Sequence, residues 1–468
     1  MRGRFQRRRG ALVLLAFTAV LVAAVVGAGS ASASSPDDFT YRVTPHWVSV
    51  GSTVNAFTNP FCSSHRLICY SPNDIKTAYD YPSGLDGSGQ TIVIVDAFGS
   101  PTIQNDLATF DAQFGIPAPP SFQVICPTGG CPAFDPSDTK HGVVNWAFET
   151  SLDVEWAHAM APGANIVLAV APTSSGNTIN VTEKAVIAQY PGSIMSQSFG
   201  IPEALVHDNN AQIQQAERNY VAARNAGITA LASSGDFGAT NGFATENAGY
   251  PSSSANVTAV GGTQGHPYFN GLDPSGTPPP TCALNVACTV GLATVKCSSA
   301  TVCPTISYGG EEVWNEPFFG IAGGGAESLL FSAPSYQSGD GTGSAVRTTP
   351  DISYNAAVSG GVLVFVSFPT VASGFYIVGG TSAGSPQMAA VVALANQARG
   401  SSLGFLNDRL YTIAENATKY ASDFHDITIG NNKLVGTPFG YSAGTGYDIA
   451  TGWGTPDVAH LVADLASP

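Results

Sequence analysis

At 468 residues the chain is longer than the ~100–200 residues usual for one domain, a length that large α/β enzymes reach as a single unit. With 18 Lys and Arg against 33 Asp and Glu it carries a formal charge of −15 at pH 7, which excludes nucleic acid, with its phosphate backbone, as a partner. In acid the carboxylates neutralise and few like charges remain to repel one another, so the composition tolerates low pH, although acidity also serves plain solubility outside the cell.

The chain opens with MRGRFQRRRG, five arginines ahead of an apolar run from Ala11 to Ala28, and then GSASAS, where Ala31 and Ala33 form an AxA cleavage pattern. Residues 1–33 are expected to be a secretory signal rather than an anchor left in the bilayer, and no later stretch is apolar enough to span one. Taking those five arginines from the 18 basic residues leaves 13 against 33 acidic ones, so the mature chain carries a charge near −20. It is expected to be extracellular, free of the membrane and monomeric. Residues 34–68 follow as a Pro- and Ser-containing lead without clear periodicity, a tether or a vestigial pro segment.

From Tyr70 onward strand-like apolar runs alternate with helix-like ones: TIVIVDAF (91 to 98), SPTIQNDLATFDAQFG (100 to 115), ANIVLAVAP (164 to 172), SIMSQSFG (193 to 200), AQIQQAERNYVAARNAG (211 to 227) and ITALASSGD (228 to 236). Short apolar strands separated by helices predict an α/β fold, a parallel β-sheet flanked by helices on both faces, with its site beyond the carboxyl ends of the strands. Residues 264–322 break the rhythm with GLDPSGTPPP and four cysteines, and are expected to form a disulfide-stapled surface insertion. The eight cysteines lie in four close pairs, Cys62 with Cys69, Cys126 with Cys131, Cys282 with Cys288 and Cys297 with Cys303, as local disulfides of a secreted protein would. The last four could also pair in crossed fashion, while zinc is disfavoured because no CxxC and no histidine cluster is present.

Near the end, VGGTSAGSPQMAAVVALANQ sets Ser382 between glycines and a helix beginning near Ala383. A serine hydroxyl is a poor nucleophile without a base and a donor for the oxyanion. Of eight histidines only His141, in KHGVVNWAF, resembles the start of a subtilisin-type histidine helix, with Asp96 in IVIVDAF as its aspartate. FETSLDVEWAHAMAPGA offers something else: Glu149 and Asp153, four apart, share one face of a helix with Trp156 and Met160. On a buried apolar face two such acids would share a proton, which suits a base working in acid, whereas on an exposed face the pair is merely solvated, the commoner case for this spacing alone. Asp236, in LASSGDFG, follows a buried strand and can donate to an oxyanion only when protonated.

Taken in order, ETSLD, SSGD, YPSSSANVTAVGGT (250 to 263), GGGAESLLFSAPSYQ (323 to 337), RTTPDISYNA (347 to 356) and GGTSAGSP resemble the motifs of the sedolisin family, the serine-carboxyl peptidases. The resemblance covers residues 70–468 and implies a subtilisin-like fold, with 69–468 as a peptidase catalytic domain acting on proteins or peptides in acid. It implies Ser382 as nucleophile, Glu149 as base and then acid, Asp153 as the carboxyl that orients Glu149, and Asp236 as oxyanion donor with the Ser382 amide. It also implies one structural Ca2+, held by the carboxylates of Asp426 and Asp448 and the backbone carbonyls of Ile427, Gly444 and Gly446, oxygen donors of the kind calcium prefers. The sequence departs from the family in three places. The lead of 35 residues, 34 to 68, stands where a long prodomain is usual; Phe199 stands where tryptophan is frequent; and the glutamate of a wider carboxyl network is replaced by Asp96 or missing. Two alternatives compete: a subtilisin-type peptidase using His141 and Asp96, and an inactive secreted binding protein on the same scaffold.

Overall fold

A computed structural model of the chain describes residues 39–51, 67–206, 210–299 and 302–467, together with the backbone of 61–62. The expected signal, residues 1–33, lies outside the described residues.

Seven parallel strands form most of the central sheet. Their order is Ile352–Asn355, Thr258–Gly265, Thr229–Ser233, Ile194–Gln197, Thr91–Ala97, Asn165–Ala171 and Phe122–Ile125, and Glu311–Val313 joins Thr258–Gly265 antiparallel. The apolar runs need this placement because alternate residues face opposite ways and both faces are covered. Ile92 and Ile94 pack with Leu107, Leu152 and Met388 under the helices Ile103–Phe114, Val143–Met160 and Gly384–Arg399. Val93 and Val95 pack on the other face with Val186 and Ala216, from Gly176–Gln189 and Ala211–Asn225.

A second sheet runs in the order His46–Gly51, Ala372–Gly379, Gly361–Phe368, Leu67–Tyr70, Phe61–Cys62. It lies over the helix Val143–Met160. Trp156 Nε1 donates to the Leu363 carbonyl at 2.9 Å, and the Phe365 amide donates to Glu155 at 3.0 Å. Layers on both sides bury every residue of this helix from Trp146 to Met160, so Glu149 and Asp153 have no solvated face to occupy.

The lead is not a loose tether throughout. His46–Gly51 pairs antiparallel with Ala372–Gly379, the strand that leads to Ser382. Within residues 264–322, Ala287–Val290, Ala293–Lys296 and Thr305–Tyr308 make an antiparallel sheet that buries Val290, Leu292 and Val295 against the main core. Disulfides join Cys282 to Cys288, Cys297 to Cys303 and Cys126 to Cys131, the neighbouring rather than the crossed pairing. Cys69 is also disulfide-bonded, and the side chain of its expected partner Cys62 lies outside the described residues. Among the described residues no helix is long and apolar enough to cross a membrane.

Candidate active site

Ser382 sits in a single 3-10 turn, Thr381–Ala383, between the strand Ala372–Gly379 and the helix Gly384–Arg399. Gly380 makes the turn at φ 129°, and a Cβ there would lie 2.8 Å from Asp236 Oδ2. Glycine is therefore required both for the backbone angle and for the close approach. The helix that follows turns its unpaired amides and the positive end of its dipole towards the serine.

One turn apart on Val143–Met160, Glu149 and Asp153 are fully buried. Burial holds the Glu149 carboxyl well above the usual carboxylate range; the nearby Ser382 hydroxyl opposes this, and the charges of Asp96 and Asp236 add to it. Neither Glu149 oxygen has a partner at regular hydrogen-bond geometry, and Ser382 Oγ donates instead, at 3.5 Å, to the Ser198 carbonyl. The serine is thus a neighbour of the base without a formed bond, a looseness common in sites that tighten on substrate. Asp153 Oδ1 accepts from Ser198 Oγ at 2.7 Å while its Oδ2 is buried without a partner. Burial, then the charges of Asp96 and Glu149, hold this carboxyl well above its ordinary range too.

Asp96 is the third member of the set. It ends the apolar run of the strand Thr91–Ala97 at 0 % exposure, and burial pushes it up to about 7 against the lowering effect of the Thr150 hydroxyl. The charge of Asp96 raises both Glu149 and Asp153, and Glu149 raises Asp153, so the three share protons as a unit and do not titrate separately.

Opposite them, Asp236 follows the strand Thr229–Ser233. Its Oδ1 accepts from the Thr381 amide at 2.9 Å and from Thr381 Oγ1 at 2.8 Å, so Oδ2 is the oxygen left for a proton. Burial raises this carboxyl, and the His46 ring, 3.8 Å from Oδ2, works against burial. A protonated Oδ2 is a hydrogen-bond donor beside Gly380 and Ser382, at the carboxyl edge of the sheet.

His141 lies elsewhere. It is half-exposed and bonded to Asp138 at 2.7 Å, ahead of the first turn of Val143–Met160. Sequence reasoning gathered Ser382, Glu149, Asp153 and Asp236, and named Asp96 both in the competing reading and as a replacement for the glutamate of a wider carboxyl network. It missed Ser198 and His46, which reach the site from separate elements and carry no local signature, and gave no role to Thr381, the residue before Ser382.

A family profile described as Subtilase family matches residues 137–436. Kumamolisin from Bacillus sp. (strain MN-32) is 32 % identical over 407 residues, covering 85 % of this chain and 63 % of kumamolisin. Sedolisin from Pseudomonas sp. (strain 101) is 29 % identical over 415 residues, covering 85 % of this chain and 61 % of sedolisin. The chain belongs to the sedolisin family of subtilases. It also resembles a solved structure of Pseudomonas sedolisin, a serine-carboxyl proteinase complexed with two molecules of pseudo-iodotyrostatin. The TM-score is 0.66 at 28 % identity, over 85 % of this chain and 98 % of that one. The chain spans less than two thirds of the length of these two curated relatives.

The loops expected to hold calcium in this family member do come together. The Gly446 amide donates to Asp426 Oδ1 at 3.1 Å, and the Gly444 amide to Asp448 Oδ2 at 3.1 Å. Gly446, at φ 79°, lets the backbone double back between the two acids. Asp448 is 8 % exposed, and among the described residues no cationic side chain pairs with either carboxylate. Oxygen donors on converging loops without a cation of their own fit a hard divalent ion. A separate group, Asp80, Asp457 and His460, brings ligand atoms within 4.8 Å of one another, but Asp457 caps the helix Val458–Ala466 and bonds His460 Nδ1 at 2.7 Å, which accounts for that approach.

Proposed function

We propose that this chain is a secreted serine-carboxyl endopeptidase that hydrolyses peptide bonds of proteins in acid. Residues 1–33 would act as the signal, 34–68 as a lead and 69–468 as the catalytic domain, working as a monomer outside the cell and away from membranes and nucleic acid. The observation that carries the reading is the buried carboxyl of Glu149 beside Ser382, with the His46 imidazole set against Asp236 instead.

Ser382 Oγ gives its proton to Glu149 and attacks the substrate carbonyl carbon. The oxyanion is met by protonated Asp236 and the Ser382 amide. Glu149 returns the proton to the leaving nitrogen, and water then cleaves the acyl-enzyme by the same steps in reverse. Asp153 would orient Glu149, and Asp153 and Asp96 would share its proton. The two ends of the pH profile have opposite signs. Activity rises as the Glu149 set loses a proton and falls as Asp236 loses its own. Burial raises Asp236, which keeps it a donor at higher pH than a free aspartate. One Ca2+ would be held by Asp426, Asp448 and the carbonyls of Ile427, Gly444 and Gly446, and would supply rigidity to the C-terminal loops.

The test is the rate of cleavage of a denatured protein from about pH 3 to pH 8, with Ser382→Ala and Glu149→Gln alongside. An acid maximum lost in both variants supports the reading. A serine-dependent maximum near neutrality that survives Glu149→Gln overturns it.

A further inference from the structure

Thr381 holds the Asp236 carboxyl from one side, and on the other side the backbone around Asp236 is paired with residues 322–325, which read AGGG. The Ala322 amide donates to the Asp236 carbonyl at 3.0 Å, and the Gly324 amide donates to the Gly235 carbonyl at 2.6 Å. Ser234 Oγ donates in return to the Gly324 carbonyl at 2.6 Å. The approach leaves no room for side chains: a Cβ on Gly324 would come 2.7 Å from the Gly235 carbonyl oxygen. Three successive glycines have the most backbone freedom to lose and nothing of their own to pack, so they keep their place only where other elements fix them.

On the side away from Asp236 the fixture is Asn432. It is 0 % exposed, and its Nδ2 donates to the Gly325 carbonyl at 2.9 Å. Its Oδ1 accepts from the Tyr441 amide at 2.7 Å, and its own amide donates to the Tyr441 carbonyl at 3.0 Å, so the side chain is held in one orientation. The main chain of the same residue reaches the other flank of Asp236: a Cβ on Gly238 would overlap the Asn432 carbonyl oxygen. Asn432 thus touches Gly325, whose neighbour Gly324 bonds Gly235, and Gly238, two residues after Asp236.

We infer that Asn432 is a positioning residue for the peptidase reaction: its side-chain amide fixes residues 323–325 against residues 234–236 and so sets where the Asp236 carboxyl meets the oxyanion. The inference rests on Asp236 being the oxyanion donor. Removing the Asn432 amide takes from the buried Gly325 carbonyl its hydrogen-bond donor, and the glycines have the freedom to turn that carbonyl towards another. Asp236 Oδ2 then moves with the main chain that carries it. A misplacement of about 1 Å at such a group costs on the order of 100-fold in rate. Ground-state binding involves no oxyanion and does not depend on this placement.

Asn432→Ala is expected to lower kcat about tenfold with KM within about twofold of the parent. Two probes read the same split without turnover, acetyl-leucyl-leucyl-norleucinal and the corresponding alcohol. Ser382 Oγ adds to the aldehyde carbon, its proton passes to Glu149 and the aldehyde oxygen becomes an oxyanion, whereas the alcohol undergoes no addition. Asn432→Ala is expected to bind the aldehyde about tenfold more weakly and the alcohol equally well. Asn432→Ser, whose hydroxyl stops short of the Gly325 carbonyl, is expected to show the same split with less disturbance of the core, and serves if the alanine variant does not fold. Asn219→Ala is the control for lost stability alone: it removes a buried amide that donates to the Asn180 carbonyl at 2.8 Å and to Glu183 at 3.0 Å, on the helix Ala211–Asn225, and is expected to keep the ratio of the two affinities. In the Ser382→Ala background, Asn432→Ala is expected to speed amide hydrogen exchange over residues 234–238 about tenfold. An aldehyde affinity that is unchanged, or weakened no more than that of the alcohol, overturns the inference, as does a ratio that Asn219→Ala lowers as much. If Asp236→Ala binds the aldehyde as tightly as the parent, the oxyanion reading fails; faster exchange over 234–238 in Asn432→Ala then still supports the brace on Asp236, and unchanged exchange overturns it.

Discussion

Asp236 is where a single side chain carries the most specific consequence. Thr381 donates twice to Oδ1, so an asparagine at 236 has its carbonyl oxygen fixed on those donors and its amide nitrogen turned where Oδ2 lies. Asparagine is a donor at every pH, aspartate only while protonated. Asp236→Asn is therefore expected to keep activity within about tenfold of the parent at its optimum and to extend the profile upwards in pH, whereas Asp236→Ala, with no donor, should lose roughly 10²–10³ in kcat. Both follow from kcat measured across pH, and an Asp236→Asn profile with an unmoved upper edge would remove Asp236 from the oxyanion role. At this scale the sequence was informative where a role depends on neighbours in the chain: the four-residue spacing of Glu149 and Asp153 and the glycines around Ser382 are local patterns. Asp96, Ser198 and His46 join the site only because separate strands end side by side, and chain spacing holds no record of that.

Among the elements, the strand Ile352–Asn355 follows directly on an ion pair with no access to solvent. Arg347 holds Asp351 with two bonds, 2.7 and 2.6 Å, both residues being 0 % exposed. The same carboxylate accepts from Tyr411 at 2.7 Å and from the Ala259 amide at 2.7 Å, which ties the strand to its neighbour and to the helix Asn407–Ala414. Arg347→Ala leaves that carboxylate buried and unpaired and is expected to cost about 3–5 kcal/mol, read by urea unfolding in the Ser382→Ala background. A loss below about 1 kcal/mol would mean that water reaches Asp351. The parallel strands were legible because strands buried on both faces read as unbroken apolar runs. The lead shows no clear periodicity over 34–68 as a whole and was expected to be a tether or vestigial pro segment, although FTYRVTP within it alternates apolar with polar or charged residues. The pairing of His46–Gly51 with Ala372–Gly379 spans over three hundred residues and had no local trace.

For the whole molecule, the buried acids set the direction in which stability changes with pH. Burial pushes Asp96 and Glu183 up to about 7, and it raises Glu149, Asp153, Glu155, Glu217 and Glu311 as well. A group raised on folding stabilises the native state fully below its unfolded value near 4, and that contribution is lost as pH rises through the folded value. Glu183 alone, moved from 4.5 to about 7, accounts for roughly 3 kcal/mol lost between pH 4 and 8. Asp86, lowered by the Ser88 hydroxyl, acts in the opposite sense but is solvated and weak. Tm of the Ser382→Ala protein is therefore expected to be highest near pH 4 and to fall steadily towards pH 8. The net negative surface charge pulls the same way, through repulsion among exposed carboxylates, and salt separates the two causes. Repulsion at the surface is screened at 1 M salt, whereas acids inside the core are not. A fall in Tm that persists in salt belongs to the buried set; a fall abolished by salt would assign the acid preference to the surface and leave the core carboxyls without a part in it.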